Sequence, residues 1–191
     1  CILLFLVATC AQSIVINEFA ASSKTSLRVS RTFPDWIELY NPSDTVVNLA
    51  GFSITDDPSN PTRFVFPAVS IEPDSYLILL ASDETIPGAE AIFLGFSLNK
   101  DGEYIGLYDP FGEVLDSVSF GLQIPDITIG HPVGDIGSWT MFYRPTPGAS
   151  NDTIVGMGLS SAPSISPSSR FCVSPFDVFI SPSGARYSAD L

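Results

Sequence analysis

Basic side chains are scarce in this sequence: eight Lys and Arg stand against twenty-one Asp and Glu, a formal net charge of -13. Such a surface repels a phosphate backbone, which argues against a nucleic acid partner. Acidity of this degree instead suits a secreted protein that must stay soluble. Histidine occurs once and cysteine three times, too few for any zinc pattern or a disulfide framework. No glycine-rich loop is built to cradle phosphate, since Gly88, Gly95 and Gly102 are scattered among the ends of strand-like runs. From Ser13 onward no stretch sustains a helical period. Hydrophobic residues at 45% and charged residues at 15% exclude a disordered polyelectrolyte.

The opening apolar run, "CILLFLVATCAQS", is too short to span a bilayer and is followed by small residues. It reads as a remnant of a secretory signal peptide, residues 1–13, the h-region and cleavage site without the positive n-region, with Thr9 and Ala11 at the small positions before a cut at Gln12. Two other readings stand beside it. Acylation of Cys10 after "VAT" is poorly served by the threonine. A buried first strand competes with the better strand pattern "SIVINEF" that begins straight afterwards. Removal of the signal leaves Cys172 alone, expected as a small buried residue or as the partner of a cysteine elsewhere. The start without methionine and the stop at "GARYSADL" suggest a piece of a longer protein.

Sixteen prolines, fourteen glycines and fourteen phenylalanines suit short strands joined by tight turns. The runs "IVINEF", "WIELYN", "VVNLAGFSITD", "RFVF", "SYLILLA", "AIFLGF", "EYIGLYD", "EVLDSVSFG" and "SWTMFY" are rich in aromatic and β-branched residues. Turn chemistry in "NPSD", "DDPSNP", "KDG" and "DPFG" separates them. The expected class is all-β, an antiparallel sandwich or barrel. The clearest local prediction is the hairpin "LNKDGEYIGLYDPFGEVLDSVSFG": Asp101-Gly102 supplies a tight turn, Ile105 and Leu107 lie on one face and Tyr104 and Tyr108 on the other, and the chain returns after the Asp109–Gly112 turn. On its return strand Val114, Asp116, Val118 and Phe120 fall in phase. Asp116 is therefore expected at the sandwich rim or paired, with Arg63 or with backbone N–H groups.

"YRPTPGASN" (Tyr143–Asn151) closes this unit, and the composition then shifts to Ser, Gly and Pro, marking residues 152–162 as a linker. The remaining residues, 163–191, hold two strand-like runs, too few to bury a core. They are expected to be the truncated start of a second β domain.

The catalytic inventory is thin. His131 in "IGHPVGD" is expected as a solvated loop residue, and no G-x-S-x-G elbow is present. Glu18, Glu38 and Asp35 are the candidates for a carboxylate pair, yet each occupies the solvent-face position of an alternating strand or its start. Glu38 is accordingly read as a strand-surface residue, with no chemistry to lose in Glu38→Gln. In "DWIELYNP" Ile37 and Leu39 are expected to face the core, while Trp36, Glu38 and Tyr40 share the other face. The two aromatics beside Glu38 are the better candidates for a contact surface. "TDDPSN" gathers Asp56, Asp57 and Asn60 as calcium-ligand candidates, against their simpler role as turn residues. Lys24, Arg28 and Arg31 cluster in the long connection between the first two strands, an exposed loop by default.

Several of these blocks, in order, resemble a known family. "IVINEFAAS", "DWIELYNPSDTVVNLAGFSITDDPSNPTRFVFP", "YLILLAS", "FSLNKDGEYIGLYDPFGEVLDSVSFG" and "PTPGASN" resemble the lamin tail domain in its bacterial extracellular form, over residues 14–151. The resemblance implies an immunoglobulin-like β-sandwich without catalytic activity. In lamins the module contacts proteins and chromatin; its bacterial relatives occur in secreted or surface proteins, often beside hydrolases or kinase-like modules. Chromatin binding does not carry over to a chain with this acidity and this signal-like start. "APSISPSSRFCVSPFDVFISPSGARYSADL" is similar to the opening of a chitobiase/β-hexosaminidase C-terminal-type β domain. Architectures similar to this one carry a kinase-like domain of the spore-coat protein H family further downstream. The expectation is therefore a secreted or cell-surface accessory module, non-catalytic and without cofactor, in a larger multidomain protein. Its domain is expected to be monomeric, to stay out of the membrane once the signal is removed, and to take an extracellular protein or glycan as partner. The alternatives are the non-catalytic front of an extracellular enzyme, and a calcium-dependent adhesion domain.

Overall fold

A computed structural model describes residues 14–151, 164–166 and 179–181. The expected signal segment with Cys10, and Cys172, lie outside the described residues. The chain divides into two compact units, Cys1–Val155 and Gly156–Leu191. In the first unit the strands are β1 (Val15–Ala20), β2 (Asp35–Asn41), β3 (Val47–Asn48), β4 (Ser53–Thr55), β5 (Phe64–Val65) and β6 (Ser70–Ile71). They are followed by β7 (Ser75–Ala81), β8 (Ile92–Phe93), β9 (Glu103–Tyr108), β10 (Val114–Phe120), β11 (Thr128–Gly130) and β12 (Thr140–Phe142). In the second unit β13 (Ser164–Ser166) and β14 (Phe179–Ser181) form an antiparallel pair. The rest of residues 163–191, expected as the truncated start of a second β domain, lies outside the described residues.

The first unit is an immunoglobulin-like β-sandwich, with no helix among the described residues. One sheet has six strands in the order β12-β11-β1-β2-β7-β8, the other four in the order β10-β9-β4-β5, and β3 pairs with β6 alone. All pairings are antiparallel except β7 with β8, which run parallel. The ten-residue crossover between that pair, 82–91, lies against the outside of the six-stranded sheet, where Ile86 packs on Trp36 and Leu80. The strands expected between Ile14 and Tyr143 all appear, but "VVNLAGFSITD" is broken at Leu49–Phe52 into β3 and β4. Short β6 and β11 have no counterpart among the expected runs.

The core lies between the two sheets. Ile16, Phe19, Ile37, Leu39 and Leu79 from one sheet meet Ile54, Ile105, Leu107 and Val118 from the other, all of them buried. Ile37 and Leu39 face inward as the alternation predicts. The hairpin is also as expected. β9 and β10 join at the Asp109–Gly112 turn, where Asp109 N–H donates to the Glu113 carbonyl at 2.9 Å and Gly112 takes φ +86; Gly102 takes φ +124 in the turn before β9, and Tyr104 and Tyr108 share a face with their hydroxyls 3.2 Å apart. On the return strand a register shift between Val114 and Asp116 moves Val114 out of phase, leaving it 54% exposed. Asp116, Val118 and Phe120 stay in phase. Such a bulge puts two residues of one strand opposite one of the other and reverses the facing of everything before it.

The outer face of β2 departs from the sequence reading. Trp36, Glu38 and Tyr40 do share that face, but it is not a wet one. Trp36 lies under the connection 21–34 with Leu27 and Val29, its Nε1 donating to Ser26 Oγ at 3.1 Å. Glu38 is fully buried. Only Tyr40 is half-exposed. The alternation located the two faces of the strand correctly, and segments distant in sequence then covered the second one.

Candidate functional site

Two buried carboxylates lie side by side on the outer face of the six-stranded sheet. Glu18 of β1 and Glu38 of β2 are register partners, and each is 0% exposed. A bulge between Ile16 and Glu18 inserts Asn17 into this pairing. The extra residue turns the Asn17 amide onto Glu38 Oε1 at 2.8 Å. Thr128 Oγ1 of β11 donates to Glu18 Oε1, and Thr146 donates to Glu18 Oε2 through both N–H and hydroxyl at 3.0 Å. Gly148 N–H donates to Glu38 Oε2. The segment 146–151 is thus strapped over the pair.

Asn151 anchors the end of this strap. Its Nδ2 donates to the carbonyls of His131 (2.6 Å) and Asn17 (3.0 Å), and its Oδ1 accepts from Thr146 Oγ1 (3.0 Å) and Asn17 Nδ2 (3.3 Å). Gly130, opposite Glu18, leaves room for this packing. A Cβ there would run into the Asn17 carbonyl and lie 2.8 Å from Asn151 Nδ2.

The charge state of the pair follows from its burial. Desolvation pushes Glu38 up from 4.5 to about 7, against the Gly148 and Asn17 hydrogen bonds that lower it and together with the Glu18 charge that raises it. Burial likewise raises Glu18 against its bonds to Thr128 and Thr146. The expectation that Glu18, Glu38 and Asp35 face solvent is therefore corrected. Asp35 is half-buried and accepts Ser23 N–H at 2.9 Å, with burial raising it too. Sequence pattern brought Glu18 and Glu38 forward as a carboxylate pair, and the register does set them together. Every carboxylate oxygen of the two is nonetheless taken by a protein donor, with no solvent contact.

His131 is also corrected. It is 3% exposed and stacks on Trp139 with centroids 3.9 Å apart. Its Nδ1 meets the Ser138 carbonyl at 2.7 Å, and its Nε2 faces Asp116 Oδ2 at 3.4 Å. The same Asp116 oxygen accepts Ile16 N–H at 2.8 Å, so of the two expected partners Asp116 takes backbone N–H and not Arg63. Arg63 pairs with Asp56 at 2.6 Å and lies over the Phe96 ring at 5.0 Å. Of the calcium candidates, Asp56 thus holds Arg63, while Asp57 Oδ1 accepts Ser59 N–H and hydroxyl and its carbonyl accepts Asn60 N–H. Among the described residues no group of three His, Cys, Asp or Glu side chains is placed to hold a metal. The connection carrying Lys24, Arg28 and Arg31 is pinned by Asp126, whose Oδ1 accepts the N–H groups of Lys24, Thr25 and Ser26 at 2.8, 2.7 and 3.1 Å.

Beside the strapped carboxylates a cleft of about 430 Å³ opens to solvent. Tyr40 and Tyr76, register partners on β2 and β7, stack at 4.8 Å with 22° between their planes and form one wall. Asp74 accepts the Tyr40 hydroxyl at 2.5 Å, and this bond, ahead of burial, pushes the phenol up to about 12. Loop 131–136 forms the opposite wall, and Asn17 and Asn151 the floor. Of the two aromatics expected at a contact surface, Trp36 is buried, and Tyr40 stacks on Tyr76 instead. Strand alternation gave no signal for Tyr76, which sits at the start of β7 and becomes a cleft residue only through the β2–β7 register.

A family model described as Lamin Tail Domain matches residues 8–121, more than half of the chain. No curated protein matches it. Thr128 of β11 and Thr146 and Gly148 of the strap lie beyond the matched residues, yet they supply every donor to Glu18 and Glu38 except Asn17.

Proposed function

Since the chain belongs to the lamin tail domain family, whose members are generally non-enzymatic β-sandwich modules, we propose that it works as a secreted or cell-surface accessory module. In this reading it tethers or positions a larger multidomain protein by binding an extracellular protein or glycan, as a monomeric domain that does not insert into membrane. One observation carries the reading: a preformed, tyrosine-walled cleft opens beside carboxylates that are wholly engaged within the protein. Binding sites are concave, with an apolar or aromatic wall and a few fixed polar groups, and the cleft has that character. The acidic surface, the signal-like residues 1–13 and the linker-like residues 152–162 support the extracellular, multidomain part. The opening of a chitobiase-type β domain in residues 163–191 belongs to the same reading.

The test is capture of extracellular proteins and glycans by the immobilised 191-residue chain, with a Tyr40→Ala/Tyr76→Ala double variant beside it. A partner held by the wild type and lost in a variant of unchanged circular dichroism is the expected result. A partner that ignores the double substitution sinks the cleft as the contact surface. Retention of a reporter inside the cell when it is fused behind residues 1–13, themselves preceded by a methionine and a basic n-region, sinks secretion.

A further inference from the structure

The chemistry of the cleft narrows its ligand, provided that the interaction reading above holds. Among the described residues no Lys or Arg lines it. Its tyrosine wall offers ring faces, and its opposite wall exposes Val133 (60%) and Ile136 (37%) to solvent. At the rim Asp74 is exposed and gives one carboxylate oxygen to the Tyr40 hydroxyl, which leaves the other free among the described contacts. Both ring nitrogens of His131 are engaged by Ser138 and Asp116, so the loop wall offers no free cation. An aliphatic stem fits between the apolar wall and the rings, and a cationic head then meets ring faces and a carboxylate together. The net charge of -13 draws such a partner in.

From this we propose that the cleft between Tyr40, Tyr76 and loop 131–136 binds a basic side chain, Lys or Arg, presented by an extended segment of a partner polypeptide. The cleft has room for the side chain and its flanking backbone, and its walls are fixed by strand pairing and by the buried Asn17–Asn151 floor. Asp74 is held in place by its left-handed backbone (φ 51) and by its N–H bond to the Asn41 carbonyl at 3.0 Å.

Calorimetry and amide chemical-shift mapping of the 191-residue chain test this with capped Gly-Lys, Gly-Arg and Gly-Glu pentapeptides and a neutral chito-oligosaccharide. The two basic peptides are expected to bind and to shift residues 40, 74, 76 and 133–136, and the acidic one is not. Asp74→Asn keeps an acceptor for Tyr40 and a residue tolerant of positive φ, and it should weaken basic-peptide binding roughly fivefold or more. Tyr76→Leu should weaken it as well. Glu113→Gln, which removes the same charge from an exposed turn outside the cleft, should leave it within about twofold. Equal losses in Asp74→Asn and Glu113→Gln overturn the proposal, because the attraction is then only the net charge. Cleft binding of the chito-oligosaccharide without the basic peptides overturns it and leaves the interaction reading standing; no cleft shifts with any probe overturn both.

Discussion

Burial of Glu38 makes the domain less stable as the pH rises from acid to neutral, and the size of the effect can be worked out. The group has an ordinary value of 4.5 and is pushed up to about 7 in the folded protein. A raised carboxyl binds its proton more tightly when folded, so its contribution is fully present below 4.5 and is lost as the pH climbs through 7. Between pH 5 and pH 8 that loss amounts to about 2–3 kcal/mol from this one residue. Glu18, Asp35 and Glu103 are raised as well, each by burial first, and act in the same direction. Asp57, Asp126 and Asp135 are lowered; their contributions are present above the ordinary value of 3.8 and vanish only as the pH falls further, outside this window.

Urea denaturation followed by tryptophan fluorescence at pH 5 and pH 8 measures the difference. Glu38→Gln is the decisive comparison, because a neutral amide removes the titration while keeping shape and one acceptor. The variant should lose much less stability over the same interval and at pH 8 be at least as stable as wild type. The physical contest is explicit. Both oxygens of Glu38 face N–H donors, Asn17 Nδ2 and Gly148 N, which favour the carboxylate, while desolvation and the Glu18 charge oppose it. A wild type more stable at pH 8 than at pH 5, with Glu38→Gln strongly destabilised at pH 8, would mean that the two donors win and the reasoning is wrong.

Three further substitutions probe the same frame. Gly130→Ala sets a methyl against the Asn17 carbonyl and Asn151 Nδ2, and should cost about 1–3 kcal/mol of unfolding free energy by urea titration. Asn151→Ala leaves the buried carbonyls of Asn17 and His131 without that donor, and should lower stability by roughly 2–3 kcal/mol, with faster amide exchange at Thr146 and Gly148. Asp126→Asn keeps a residue tolerant of its φ of 60° but removes the charge that gathers three N–H groups, so trypsin should cut after Arg28 and Arg31 several-fold faster than in wild type. An unchanged tryptic pattern would show that the connection is held by its apolar contacts alone.

Which parts of this were legible in the sequence follows from the range of the interactions involved. Strand alternation is local, so Ile37 and Leu39 could be assigned to the core and the Gly102 turn located without a structure. The Ile16 N–H that Asp116 accepts is also a foreseeable kind of partner, because a carboxylate in phase with core residues must find donors. Alternation cannot say whether the second face of a strand is covered. On β2 three neighbouring outer positions met three different fates. Trp36 went under the connection 21–34, Glu38 under a strap more than a hundred residues away, and Tyr40 to the open cleft. Val114 shows the same limit on a smaller scale, since a single bulged residue reversed its facing.

The error made at Glu38 has an informative form. A carboxylate on an alternating strand is read as solvent-facing because burying it costs several kcal/mol unless it is partnered. The partners here are Asn17, displaced by a bulge, and Gly148, a backbone N–H in a Pro-Gly turn, and neither advertises itself as a carboxylate ligand in the sequence. His131 was misread for the same reason, because its cover is Trp139 and its partners are a carbonyl and an aspartate on another sheet. Polar residues whose partners come from remote backbone are those for which periodicity fails. The strap that engages both carboxylates also ends beside the Tyr40–Tyr76 cleft, so the segment that supplies Glu18 and Glu38 with donors is also the one whose Asn151 fixes the floor of the cleft.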